Sequence, residues 1–105
     1  MSSEKKKVHA FKDDALGELD AVGIAARIKN KEISAKEAVE ASIERAKDVN
    51  PHINAIVTEL YDRALGESEK GHEGPFSGVP MFFKDMLMVK GVPAYHGTTA
   101  NKNIW

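Results

Sequence analysis

The stretch Gly74–Asp85 reads Gly-Pro-Phe-Ser-Gly-Val-Pro-Met-Phe-Phe-Lys-Asp, and it places a lysine at the end of an apolar run. Lys84 follows Phe82 and Phe83 directly and is followed closely by Met86. If the run is buried, loss of hydration favours the neutral amine, which is a base. Lowering the pKa of a lysine from about 10.4 to about 7 costs about 4 kcal/mol. Such a base therefore requires a larger fold around it.

The composition is that of an ordinary globular domain. The chain has 105 residues, of which 42% are hydrophobic and 30% are charged, and this length suits one small domain. Fifteen basic and sixteen acidic residues give a net charge of -1, so we expect neither a nucleic-acid nor a membrane partner. Without cysteine there are no disulfides, thiolate metal sites or cysteine nucleophiles. The polar N-terminus lacks an export signal, which predicts a cytoplasmic protein.

The first part of the chain predicts a flexible polar tail over residues 1–17, followed by a helix. Within the tail, Val8, Phe11 and Leu16 are isolated apolar anchors. The helix is predicted over Leu19–Lys31, with Asp20 as its N-cap.

A second helix has the clearest local signals. Ser34 followed three residues later by Glu37 forms a capping box ahead of a helical period. The helix is predicted to run to about Asn50, where Pro51 ends it. Its apolar stripe consists of small residues, which are Ala35, Ala38, Val39, Ser42, Ala46 and Val49.

Strands are predicted in the remainder of the chain. Ile53–Thr58 has the β-branched content of a short strand, and Tyr61 to about Lys70 returns to a helical pattern. Beyond Gly74, the pattern predicts one strand over Val79–Lys84 and a continuation or second strand over Met86–Val89.

From the residues alone, Lys84 and Asp85 are best interpreted as a charged pair at a strand end rather than as a buried base. Neighbouring side chains on a strand point to opposite faces. Lys84 could then face inward, while Asp85 caps a turn or binds backbone.

The sequence gives little support for a local catalytic triad, a metal site or a phosphate-binding loop. The cluster of His72, Glu73 and Ser77 is interpreted as a solvated loop, because catalytic triads are assembled from distant parts of a fold. The other histidines, which are His9, His52 and His96, lack metal-ligand spacing, so no metal is expected. The glycines do not form a phosphate-binding loop, so no cofactor is expected either.

Three features together resemble the amidase signature family. They are the capped helix from Ser34, the stretch Val49–Val57 reading Val-Asn-Pro-His-Ile-Asn-Ala-Ile-Val, and Gly78-Val79-Pro80 leading to Lys84-Asp85. In that family, a Gly-Val-Pro segment delivers the catalytic lysine of a serine, cis-serine and lysine triad. Lys84 falls on this lysine, and the resemblance covers roughly Leu19 to Gly97.

The resemblance implies an α/β fold, in which a helical N-terminal segment followed by short strands is a fragment of a three-layer α/β/α architecture. It also implies that residues 18–105 are the N-terminal part of an incomplete amidase-signature domain. The substrate implied for the intact enzyme is a small-molecule amide. Met86 and the Gly-Pro-Phe-Ser-Gly stretch are similar to the branch containing cyclic amide oligomer hydrolases.

The chain departs from the family because it has no Gly/Ser-rich segment carrying the two catalytic serines. None of its serines matches a catalytic position; they are Ser2, Ser3, Ser34, Ser42, Ser68 and Ser77. We therefore expect the 105-residue chain to be inactive alone and to self-associate or bind a complementing chain. The alternative is a non-enzymatic, helix-rich oligomerisation or interaction module derived from an amidase.

Overall fold

The computed structural model describes residues 7–87 and 89–98, and their regular structure is helical. Helix α1 spans Ala21–Lys29, α2 spans Ala35–Ile53 and α3 spans Tyr61–Ser68. Helix α3 packs against α2. Over these described ranges the chain forms no strand.

Both predicted helix caps are confirmed. The Asp20 carboxylate accepts a hydrogen bond from the Gly23 backbone N–H at 2.9 Å, which caps α1. At the start of α2, the Ser34 hydroxyl accepts from the Glu37 N–H and the Glu37 carboxylate accepts from the Ser34 N–H, each at 3.0 Å. These side chains satisfy backbone donors that have no partner inside a helix.

The prediction that Pro51 ends the second helix is wrong. Helix α2 continues to Ile53 and ends where Asn54 adopts a left-handed conformation, with φ of 49°. The Asn54 N–H still donates to the Asn50 carbonyl at 2.7 Å. Proline lacks a backbone N–H, so the helix loses one hydrogen bond at Pro51. Because Pro51 lies close to the C-terminal end, this loss is small compared with the hydrogen bonds of the preceding turns.

The predicted α/β fold is contradicted, because the short strands do not form. Ile53 belongs to α2, and after Gly74 the chain forms turns over residues 75–78 and 85–86 with irregular backbone over residues 79–84 between them. The N–H of Val79 donates to the Phe76 carbonyl at 3.1 Å, and that of Leu87 donates to the Lys84 carbonyl at 3.0 Å. A strand needs the backbone groups of a second strand, and the described residues provide none, so these groups pair locally. Residue 88 of the last predicted strand lies outside the described residues.

A small core joins the segment before α1 to α1 and α2. Its buried members are Leu16, Ile24, Ala38 and Ala41. Val79 packs against this cluster and brings the Gly78–Val79 turn to the helices. Of the three predicted anchors, Leu16 is 6% exposed, whereas Val8 and Phe11 are 43% and 57% exposed. The prediction that Leu16 anchors this segment to the fold is therefore confirmed.

The predicted small-residue stripe of α2 is confirmed in part: Ala38, Val39 and Ala46 are buried, and its other three residues are half-buried. Ala41, which the predicted stripe left out, is also buried. Small side chains allow close approach of neighbouring segments but bury little area each. Among the helices of the described ranges, none combines the length and apolarity needed to cross a membrane.

Candidate functional site

Lys84 lies in a turn at the surface. Its carbonyl accepts the Leu87 N–H at 3.0 Å, which closes the turn, and its side chain is exposed. No ion pair joins the Lys84 amine to a residue of the described part of the chain. The inward orientation considered from a strand pattern is therefore not observed, since the strand is absent.

Asp85 is half-buried, and its carboxylate binds backbone, as the sequence suggested. Its Oδ1 accepts the Tyr95 N–H at 3.0 Å, which ties the Lys84 turn to the chain ten residues later. Its Oδ2 is buried and has no hydrogen-bond partner among the described residues. Beside this contact, Ala94 is only 2% exposed. The carboxylate therefore holds a packed turn in place while one of its oxygens stays unpaired.

The apolar run around Lys84 is exposed. Five large side chains are each more than half exposed, and they are Met81, Phe82, Phe83, Met86 and Leu87. We call these five residues the apolar run. Exposed apolar patches of this kind mark surfaces that contact another segment or partner. In this structure Lys84 thus has apolar neighbours in sequence but no buried apolar environment.

Gly78 positions the segment that leads to Lys84. Its φ is +85°, and a Cβ built on it would lie 2.7 Å from the Ala35 Cβ at the first residue of α2. Only glycine combines this backbone conformation with so close an approach. The Gly-Val-Pro turn is thereby held against the N-terminal end of α2.

The cluster around His72 is a solvated loop, and its groups do not form a triad. The Ser77 hydroxyl donates to the main-chain carbonyl of His72 at 2.5 Å rather than to the imidazole. The His72 ring contacts Glu67, with Nε2 3.0 Å from Oε2. A hydrogen bond from Lys70, at 3.1 Å, is the main cause that lowers the pKa of Glu67. All these charged groups are exposed, which fits a surface network.

Sequence patterns missed one contact, between Arg45 on α2 and Asp14 before α1. The Arg45 Nε donates to Asp14 Oδ2 at 2.8 Å, and Nη2 donates to Asp14 Oδ1 at 2.6 Å. The two residues are 31 positions apart, so no local spacing could indicate the pair. Within the described ranges, no group of histidine and carboxylate side chains is arranged to hold a metal ion.

Comparisons with known proteins give the site its context. The protein-family model described as Amidase matches residues 37–105, which include Lys84 and Asp85. A protein of Mycobacterium tuberculosis named as an amidase, AmiC, is 47% identical over 96 residues, which cover 90% of this chain and 20% of that protein.

Two further relatives carry more specific names. The 6-aminohexanoate-cyclic-dimer hydrolase of Paenarthrobacter ureafaciens is 43% identical over 70 residues, covering 67% of this chain and 14% of the relative. The indoleacetamide hydrolase of Bradyrhizobium diazoefficiens is 40% identical over 91 residues, covering 79% of this chain and 17% of the relative. No solved structure matches the chain.

The chain therefore spans a fifth or less of the length of these relatives. The family match itself extends over more than half of this chain. The chain belongs to the amidase family.

Proposed function

We propose that this chain is the N-terminal part of an amidase that hydrolyses carboxamide C–N bonds, and that Lys84 is the general base of the complete enzyme. The observation that carries the proposal is the family match, which includes the Gly-Val-Pro turn and Lys84. Lys84 has no ion-pair partner among the described residues, so its amine is available to groups supplied by the rest of the complete protein. The remaining catalytic groups would belong to the part of the protein outside this chain.

The reaction follows from the chemistry of a serine, cis-serine and lysine triad. The neutral Lys84 amine accepts a proton, relayed by the cis-serine, from the serine hydroxyl that attacks the amide carbonyl carbon. Backbone N–H groups stabilise the resulting oxyanion. As the C–N bond breaks, the same relay protonates the leaving ammonia or amine. Water then releases the carboxylic acid from the acyl-enzyme.

Three serines of the described chain have hydroxyl groups engaged in local hydrogen bonds, and the Ser68 hydroxyl donates to the Leu65 carbonyl at 2.6 Å. Ser34 caps α2, and the Ser77 hydroxyl donates to the His72 carbonyl. None of the three hydroxyls lies in the Lys84 turn. This supports the proposal that both catalytic serines come from a Gly/Ser-rich segment beyond this chain and that the 105-residue chain alone is inactive.

We further propose that the apolar run is covered in the complete protein. Its five side chains are more than half exposed here, and covering them would remove water from the surroundings of Lys84. The cover would be the rest of the parent protein, a complementing chain or a second copy of this one. We propose a cytoplasmic enzyme acting on a small-molecule amide, and the similarity to a cyclic-dimer hydrolase supports the cyclic amide branch.

The general-base assignment is tested with the full-length parent protein. We would measure release of ammonia from indole-3-acetamide and of primary amine from the cyclic dimer of 6-aminohexanoate. Lys84→Ala is expected to lower kcat by about a hundredfold or more, because it removes the proton acceptor. Lys90→Ala, which changes another exposed lysine nearby, is the matched control and should keep wild-type rates. Equal activity of Lys84→Ala and wild type would contradict the assignment.

The alternative is a non-enzymatic, helix-rich oligomerisation module derived from an amidase. The helical structure of the described chain and the exposed apolar run favour it as the second candidate. The mass of the protein purified from its native source separates the two. A parent several times longer supports the hydrolase, and a native chain ending at Trp105 supports the module.

A further inference from the structure

The Oδ2 atom of Asp85 is an unsatisfied acceptor next to the candidate base. It is buried, and within residues 7–87 and 89–98 it has no hydrogen-bond partner. Leaving a buried acceptor unpaired costs about 1–3 kcal/mol, and more for a charged group. Folded proteins rarely keep such a group without a reason.

Asp14 shows how this chain satisfies a carboxylate when donors are available. Both of its oxygens accept hydrogen bonds from Arg45, and Oδ1 also accepts the N–H groups of Leu16 and Gly17 at 3.0 Å. Asp85 receives one bond, from the Tyr95 N–H to Oδ1. Among the described side chains, its Oδ2 is the single buried nitrogen or oxygen atom without a partner. The donor that it lacks is therefore not supplied by the packing seen here.

The residues next to Asp85 in the sequence are exposed. Because Lys84, Met86 and Leu87 all lie at the surface, their side chains can repack when another surface covers them. A donor from the complete protein could then bind Oδ2 while Oδ1 keeps its bond to Tyr95. Because Asp85 and Lys84 are adjacent in one turn, a bond to Oδ2 would also fix the backbone that carries the lysine.

We propose that Asp85 is a positioning residue for Lys84, in which Oδ1 holds the turn against Tyr95 and Oδ2 accepts a hydrogen bond from an N–H or O–H donor in the rest of the complete protein. This inference rests on the proposed function of Lys84. It assigns Asp85 no direct contact with substrate. Its effect is on the placement of the amine relative to the serine relay, where small displacements reduce rates strongly.

The test compares variants of the full-length protein with the same two amides. Asp85→Asn keeps the shape but cannot present acceptors to both Tyr95 and the second donor. It is expected to lower kcat by about tenfold to a hundredfold and to leave KM within about twofold, since substrate binding is unaffected. Asp85→Glu keeps the carboxylate, so its kcat should lie between that of Asp85→Asn and that of wild type. Asp13→Asn, at an exposed carboxylate, is the matched control and should behave as wild type.

A crystal structure of the full-length protein gives a readout independent of activity. We expect an N–H or O–H donor from outside this chain within about 3.2 Å of Asp85 Oδ2. An ordered water as the only partner of Oδ2, or wild-type kcat in Asp85→Asn beside an inactive Lys84→Ala, would overturn it. An active Lys84→Ala would instead refute the general-base assignment, so the two failures are distinguishable.

Discussion

At the scale of single residues, the Arg45 guanidinium joins the segment before α1 to α2. It donates to both oxygens of Asp14, and Nη2 also donates to the Gly17 carbonyl at 2.8 Å. The Arg45 and Asp14 side chains are only 13% and 20% exposed. The guanidinium also lies 5.9 Å from the centre of the Phe11 ring. A half-buried bidentate pair of this kind is stronger than an exposed ion pair. The prediction that residues 1–17 form a flexible tail is not tested by these contacts and stays a prediction.

The Asp14 pair predicts a dependence of stability on pH. The hydrogen bond from Arg45 is the largest cause that lowers the pKa of Asp14, and burial partly opposes it. A carboxyl whose pKa is lower in the folded state stabilises the fold above its unfolded pKa of about 3.9. That contribution is lost as the pH falls through the lower, folded-state pKa. Urea unfolding of the 105-residue chain should therefore show a decline in stability below about pH 4 that is smaller in Asp14→Asn.

Glu67→Gln is the control for this measurement. The pKa of Glu67 is also lowered, chiefly by Lys70, but its side chain is exposed and solvent weakens the interaction. Its removal should leave the pH profile close to that of wild type. The same acid decline in wild type and Asp14→Asn would contradict the role given to the Arg45 pair.

At the scale of elements, the contact between the Gly-Val-Pro turn and α2 depends on Gly78. Gly78→Ala should destabilise the fold for two reasons. A side chain is strained at φ of +85°, and the new Cβ would lie 2.7 Å from the Ala35 Cβ. Gly71 is the matched control, because its φ is +68° and no described atom lies within 4 Å of its Cβ position. We expect Gly71→Ala to cost about 1 kcal/mol and Gly78→Ala about 2 kcal/mol more. Denaturant unfolding measures both, and equal costs would contradict this contact.

The elements also show which parts of the structure the sequence could predict. The caps of α1 and α2 were predictable, because Asp20, Ser34 and Glu37 bond within three residues of themselves. The strands were predicted wrongly, since β-branched and aromatic content indicates a strand only where a second strand is available. Lys84 was singled out by sequence alone, whereas its exposure and the Asp85–Tyr95 bond depend on the turns that replaced the strands.

At the scale of the whole molecule, the apolar run predicts self-association of the 105-residue chain. Phe82 is 62% exposed in the run, and Val22 on α1 is 66% exposed outside it. If burial of the run drives association, Phe82→Glu should shift the chain toward monomer. The matched change Val22→Glu should leave association as in wild type. Sedimentation velocity over a range of concentrations would show this, and a wild-type chain that stays monomeric throughout would contradict the prediction.

We propose that Lys84 of this amidase-family chain is the general base of the complete protein and that the serines it would serve lie outside the 105 residues. The most direct test measures ammonia release from indole-3-acetamide by the full-length protein and by the 105-residue chain, each with and without Lys84→Ala. We predict that the full-length protein releases ammonia, that the 105-residue chain does not, and that Lys84→Ala lowers the rate of the full-length protein by about a hundredfold or more. Ammonia release by the isolated 105-residue chain that disappears in its Lys84→Ala variant would show that the catalytic serines do not lie outside these residues.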